Sequence, residues 1–372
     1  MDRKAIIENI FRRNFCIKPG ETVLIYTDAI SKDEDIAKKD RLRREKLVKI
    51  ATEFAETGKY FGNVKYIEYE SLKEHGSEPP AEVWKLAFGK AFFEFIKESK
   101  LLVNITQKTI NYRQKKLLSD FIEDHNNECV SAIIALSNFS TSHTLFRDLI
   151  TNYGGARFAS MPLFENSMFE TSLNIDPIEL AGFTLSVYKK LSNASKVQIK
   201  AKNGTDITFY IRENGFMPDT GLLNNGGSFS NLPAGEVYTA PLEQLTNGKF
   251  VMEYAPTYKL KNPLTLYIDK GKLSYIDGNG DFKEHLTGAI EKNNLVSNIA
   301  ELGIGTNRSA KNFQNILEAE KIYGTIHMAL GDNSSFGGSV RVNFHEDFIL
   351  FNPEITVTAK DGNSFNLLPS IG

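Results

Sequence analysis

The texture of the chain changes once, near residue 195, and that change limits the folds open to it more than any other feature. Before it, short β-branched or apolar runs alternate with helical patterns: TVLIY from 22, VKYIEY from 64, LLVNIT from 101 and VSAIIAL from 130. Parallel strands need a long crossover and a helix supplies it, so this alternation predicts a parallel sheet. Trp84, Phe88, Ala91 and Phe95 fall on one helical stripe between the second and third runs. Such a stripe reads as core. A further helix is expected over about 177 to 192, with Asp176 as its cap and Pro177 in the first helical position.

After the change, strands and tight turns take over. VQIKAKNGTDITFYI sets Asn203-Gly204 between two alternating runs, a strong hairpin signal. LTLYIDKGKLSYI and ITVTAKDGNSFNLL repeat the pattern of strand, Gly-containing turn and strand. The one long helical stretch expected here is KNFQNILEAEKIY, 311 to 323. The fold class expected is therefore α/β, an N-terminal layered domain with a parallel sheet over 1–190 and a C-terminal antiparallel β-rich domain over 191–372.

Composition excludes several functions. Lys+Arg at 44 against Asp+Glu at 46 gives no basic field for a phosphate backbone, so no nucleic-acid partner is expected. The charge run KKDRLRREK at 38 to 46 mixes signs and reads as a solvated helix face. MDRKAIIENIFRRNF spaces Ile6, Ile7, Ile10 and Phe11 as a helix does, which fits neither a signal peptide nor a membrane span. A cytoplasmic location is expected. Cys16 and Cys129 stand far apart among apolar neighbours and read as buried structural thiols.

Three segments carry groups with chemistry. In VRVNFHEDFI, read as a strand, Asn343, His345 and Asp347 share one face and Val342, Phe344 and Phe348 the other. An imidazole and a carboxylate two residues apart suit zinc, cobalt, manganese or ferrous iron; a solvent-facing edge explains them equally well. His327 lies in the apolar run GTIHMALG, where it needs a metal or a hydrogen-bond partner. NLPAGEVYTAP holds Glu236 between Pro233 and Pro241, as a ligand or as a turn carboxylate, and NIAELGIGTN places Glu301 before Gly303 and Gly305. With no helix pattern opening after it, that G-x-G is not a dinucleotide loop. G-x-S-x-G, phosphate-loop and H-E-x-x-H patterns are absent from the sequence. DGNGD at 277 to 281 departs from a calcium loop at its sixth and twelfth positions and reads as a hairpin turn.

Taken together, Pro19-Gly20-Glu21, GTDITFYI, NLPAGEVYTAP, ELGIGTN, GTIHMALG and the closing HED make the chain resemble, over nearly its whole length, the thermophilic metalloaminopeptidase family of aminopeptidases T and S. The resemblance implies a cytoplasmic homodimer that removes amino-terminal residues from small peptides with a divalent pair, zinc or cobalt, with manganese or iron as other candidates. It implies Glu236, Glu301, His327, His345 and Asp347 as metal ligands, Glu320 as a further one, and catalytic roles for Glu301, as the bridge between ions, and Glu236. A bridged pair of ions deprotonates a shared water near neutral pH. Two departures mark a divergent branch: Ser334 stands where the family has a Tyr, and the usual Glu-Glu before Val237 is Gly235-Glu236.

Those departures keep an alternative in view. The aromatic-ring-opening dihydroxypyridine dioxygenases look like relatives of this family that keep a His, His, Asp set on a single ferrous ion, and that facial arrangement suits oxygen chemistry. A third reading, an inert dimeric scaffold, is disfavoured by five candidate ligands kept on separate segments, because unpaired buried carboxylates are costly.

Overall fold

The structure, a computed structural model, describes residues 1–256 and 258–368. The chain divides into two compact units, Met1–Ile178 with Gly221–Pro233, and Glu179–Thr220 with Ala234–Gly372.

In the first unit, β1 (Thr22–Ala29), β2 (Asn63–Glu70), β3 (Ala132–Ala135), β4 (Arg157–Ser160) and β8 (Phe229–Asn231) form a parallel sheet in the order β2-β1-β3-β4-β8. Helices α1 (Arg3–Asn9), α2 (Lys38–Gly58), α3 (Ala81–Phe88), α4 (Lys90–Glu98), α5 (Leu101–Thr106), α6 (Tyr112–Asp124) and α7 (Leu145–Asn152) accompany it. Their core includes Leu24, Trp84, Phe88, Phe92, Ile133, Phe146 and Phe158.

Several expectations change here. LLVNIT is helix α5, because Leu101 and Ile105 enter the core at a spacing of one helical turn. The aromatic stripe breaks at Gly89, whose φ of +90° separates α3 from α4 and brings Phe92 and Ile96 inward where Ala91 was expected. Arg44 leaves the solvated face of α2 to pair, fully buried, with Glu34 at 2.5 Å. Cys16 is exposed and Cys129 half-buried. No described helix is long and apolar enough to cross a membrane.

Helix α8 (Pro177–Leu191), where the Asp176 carboxylate accepts the Ile178 amide at 2.8 Å, carries the chain into the second unit, which contains two antiparallel sheets. One runs β12-β11-β10-β6-β5-β16-β17. Its strands are β5 (Ala194–Lys200), β6 (Asp206–Tyr210), β10 (Asn247–Ala255), β11 (Tyr258–Asp269), β12 (Lys272–Asp277), β16 (Glu354–Ala359) and β17 (Ser364–Asn366), and all three expected hairpins are among them. The other runs β15-β14-β13-β9-β7, built from β7 (Met217–Asp219), β9 (Glu236–Thr239), β13 (Ile299–Gly305), β14 (Ile326–Gly331) and β15 (His345–Leu350). Alternation gives the sheets one shared core, where Val197, Phe209, Phe250 and Leu266 of the larger meet Val237, Leu302, Ile304, Met328 and Phe348 of the smaller. The opposite face of the smaller sheet is left for the polar members of those strands.

Two expectations fail in this unit. DGNGD leads from β12 into α9 (Asp281–Lys292) instead of turning a hairpin. Over 311–323 only α10 (Ile316–Ala319) is helical. Asn312 and Asn315 turn their carboxamide oxygens onto the Gln314 and Leu317 amides, and Glu318 accepts from the Lys311 and Asn312 amides. Side chains that bond locally compete with the helix ladder.

Candidate metal centre

Four adjacent strands bring one polar cluster together. Glu236 lies on β9, Glu301 on β13, His327 on β14, and His345 with Asp347 on β15, each on the face opposite the shared core. Glu320 and Lys321 arrive from the turn after α10. All six residues anticipated as ligands therefore meet. Three overlapping sets have donor atoms mutually within 4.8 Å: Glu236, Glu301 and His327; Glu301, His345 and Asp347; Glu320, His327 and Asp347.

The strand expected from Val340 onward begins only at His345. Asp332 accepts the Val342 amide at 2.9 Å and Asn333 the Val340 amide at 2.9 Å, which draws 340–344 into a loop before the ladder starts. Phasing from His345 onward is as expected, with Phe348 in the core and His345 and Asp347 on the site face.

Glu301 sits between the imidazoles. Its Oε1 lies 3.3 Å from His327 Nε2 and its Oε2 lies 3.5 Å from His345 Nε2. Asp347 Oδ1 is 3.7 Å from His345 Nε2, and Glu236 Oε2 is 3.3 Å from His327 Nε2. On its far side, His345 Nδ1 meets the Asp332 carbonyl at 2.9 Å, which places the Nδ1 proton there and turns Nε2 toward the cluster. Gly303 pairs with His327 across the ladder; a Cβ on it would stand 2.0 Å from His327 Nε2, so only glycine leaves that ring its place.

Charge in the cluster is dense. Burial would raise Glu301, but hydrogen bonds from His327 and His345 outweigh it and hold the carboxyl well below the usual range. Burial pushes Glu236 up to about 8 and raises Glu320, in each case against the pull of Lys321. Burial would lower both imidazoles, yet the surrounding carboxylates lift His327 to about 9 and His345 to about 10. Four carboxylates around two imidazoles and one ammonium therefore draw positive charge. Glu236 Oε2, His327 Nδ1 and Asp347 Oδ1 are buried without a hydrogen-bond partner. Such atoms are costly to leave bare, and this set of nitrogen and oxygen donors fits a divalent first-row cation.

Sequence reasoning missed four neighbours of the cluster. Lys321 is fully buried, bonded to Glu236 and 2.8 Å from Glu320, its neighbour in the run EAEK. The Tyr238 phenol is raised by burial, with Asp219, Glu301 and Glu236 pushing the same way. Phe336 makes edge contacts with Tyr238 and with His345, at ring separations of 5.8 and 5.9 Å, giving the site an aromatic flank. Asp332 orients His345 and accepts the amide and hydroxyl of Ser334, so that serine belongs to a local turn.

Comparison with known proteins places these features in context. No curated protein sequence matches the chain. Solved structures that share its fold include 2,5-dihydroxypyridine dioxygenase from Pseudomonas putida KT2440, 15% identical with a TM-score of 0.66 over 96% of this chain and 94% of that one, and wild-type AmpT from Thermus thermophilus, 12% identical with a TM-score of 0.62 over 99% and 97%. The expected relation to the aminopeptidase T fold stands at the level of architecture. A family model described as NicX, 2,5-dihydroxypyridine 5,6-dioxygenase, matches residues 180–363. That stretch holds every residue of the cluster. It overturns the expectation of a metal-dependent aminopeptidase with hydrolase chemistry on zinc, and favours the ring-cleaving dioxygenase alternative.

Proposed function

We propose that the chain is a non-haem iron dioxygenase that opens the ring of a dihydroxylated N-heteroaromatic compound. The observation that carries the reading is three overlapping donor sets, linked through Glu301, His327 and Asp347 and between them holding two imidazoles and four carboxylates, inside the segment that resembles the dihydroxypyridine dioxygenases. His327, His345 and Asp347, with Glu301 between the imidazoles, would hold the ion. Two histidines and a carboxylate leave positions open on a ferrous centre. When bound, ferrous iron supplies the redox chemistry that spin-paired organic molecules lack toward dioxygen.

The residues of this chain do the rest. Asp332 fixes the His345 tautomer through its carbonyl, and Gly303 leaves His327 its room. Tyr238 and Phe336 offer an apolar flank against which a planar ring packs. The buried setting of the donors excludes bulk water from the charges they carry.

The test is oxygen uptake by anaerobically iron-loaded protein given 2,5-dihydroxypyridine. Oxygen consumption with matching loss of ring absorbance is expected, abolished by a chelator and by His345→Ala. Absence of uptake across a panel of dihydroxypyridines, with iron shown to be bound, would sink the reading.

A further inference from the structure

Lys321 is the cluster's unexplained member. Its side chain is wholly buried, and its Nζ bonds Glu236 Oε1 and lies 2.8 Å from Glu320 Oε1. Both carboxylates belong to candidate ligand sets. Holding a lysine there takes dedicated structure. The Lys321 amide donates to the Glu318 carbonyl at 3.0 Å, and its own carbonyl accepts the Asn307 amide at 2.8 Å. Next along, the Tyr323 amide returns to the Asn307 carbonyl at 3.0 Å. The turn also crosses the end of β13 so closely that a Cβ on Gly305 would stand 2.1 Å from the Ile322 carbonyl oxygen. The ammonium is thus fixed by backbone and not left on a free tether.

We propose that Lys321 is a built-in cation occupying the place of a second metal ion, so that the cluster takes one ion only, on Glu301, His327, His345 and Asp347. The inference rests on the reading of the cluster as a metal centre. Buried carboxylates demand a positive partner, and Glu236 and Glu320 find one in the ammonium. A second dication among the same oxygens would meet a fixed like charge at contact distance. Glu301, His345 and Asp347 form a donor set that includes neither of the lysine's two glutamates, their donor atoms lying within 4.8 Å of one another. Glu236, with its second oxygen 3.3 Å from His327 Nε2, becomes a positioning residue linking the lysine to that imidazole.

The experiment counts ions. Full-length protein is stripped, reloaded with ferrous, manganous or zinc ion, desalted and measured by elemental analysis, with affinity from calorimetry. Wild type is expected to hold one ion per chain and Lys321→Met two, the vacated glutamates taking the second. Two ions in wild type, or one in Lys321→Met, overturns the inference and leaves the metal centre standing. No ion of any kind in wild type overturns the metal centre and the inference together. Because Lys321→Met strands two buried carboxylates, Glu236→Gln/Glu320→Gln/Lys321→Met is measured beside it. This variant is expected to keep one ion with affinity within about a hundredfold of wild type, the upper end of outer-shell effects. A larger loss would mean that the two glutamates hold the resident ion, and the inference falls.

Discussion

His327 owes its position to an absent side chain. Its ring lies over Gly303, where the ladder would otherwise set a Cβ 2.0 Å from Nε2, and the imidazole is wholly buried with nowhere to retreat. Gly303→Ala is therefore expected to push the ring off its line toward Glu301. Overpacking of this kind costs about 1–3 kcal/mol of stability, and ion affinity should fall by at least about tenfold, as when a ligand is misaligned. Calorimetric titration of the folded variant checks it, and unchanged affinity would show that His327 is not a ligand. Sequence alone exposed the two histidines, Glu236, Glu301 and Asp347, because each is a polar group set in an apolar or constrained run. Lys321 left no such trace. A lysine beside a glutamate is the commonest of surface pairs, and only the collapse of the expected helix turns it inward.

At the level of elements, the hairpins and the presence of a parallel sheet were legible because their signals are local, a Gly-containing turn or a β-branched run. Helices were misjudged where a distant partner decided the outcome. LLVNIT has strand-like residues, yet core contacts one turn apart make it α5, and over 311–323 asparagine side chains take amides that a longer helix would have used. The start of α7 shows the same dependence. Glu78, far away in sequence, accepts the Leu145 and Phe146 amides at 2.6 and 3.0 Å, while the Thr144 hydroxyl oxygen accepts that of Arg147. Burial outweighs those bonds and pushes the Glu78 carboxyl up to about 7. The native state then binds more protons than the unfolded chain between the ordinary carboxyl range and about 7. Its contribution is present at acid pH and lost as pH rises through about 7, on the order of 3 kcal/mol at most. Urea midpoints of wild type and Glu78→Gln should therefore differ more in wild type's favour near pH 5 than near pH 7.5. A gap independent of pH would refute the raised carboxyl.

For the molecule as a whole, each unit has its own core, and the cluster with its supporting ladders lies within the second. An ion that binds only the native state stabilises it by mass action, by about 2.7 kcal/mol at a hundredfold excess over the dissociation constant. Loading with ferrous or manganous ion should slow amide hydrogen exchange in 236–239, 299–305, 326–331 and 345–350, and a chelator should reverse it. Equal slowing throughout the parallel sheet of the first unit would contradict a centre confined to these strands. The placement of the donors along neighbouring strands has a metrological consequence. Adjacent strands stand about 4.8 Å apart whatever their sequence, so the sheet acts as a ruler for the aperture offered to a cation. Selection by ionic radius is then written into the main chain, and exchanging donors retunes electron demand without altering the gauge.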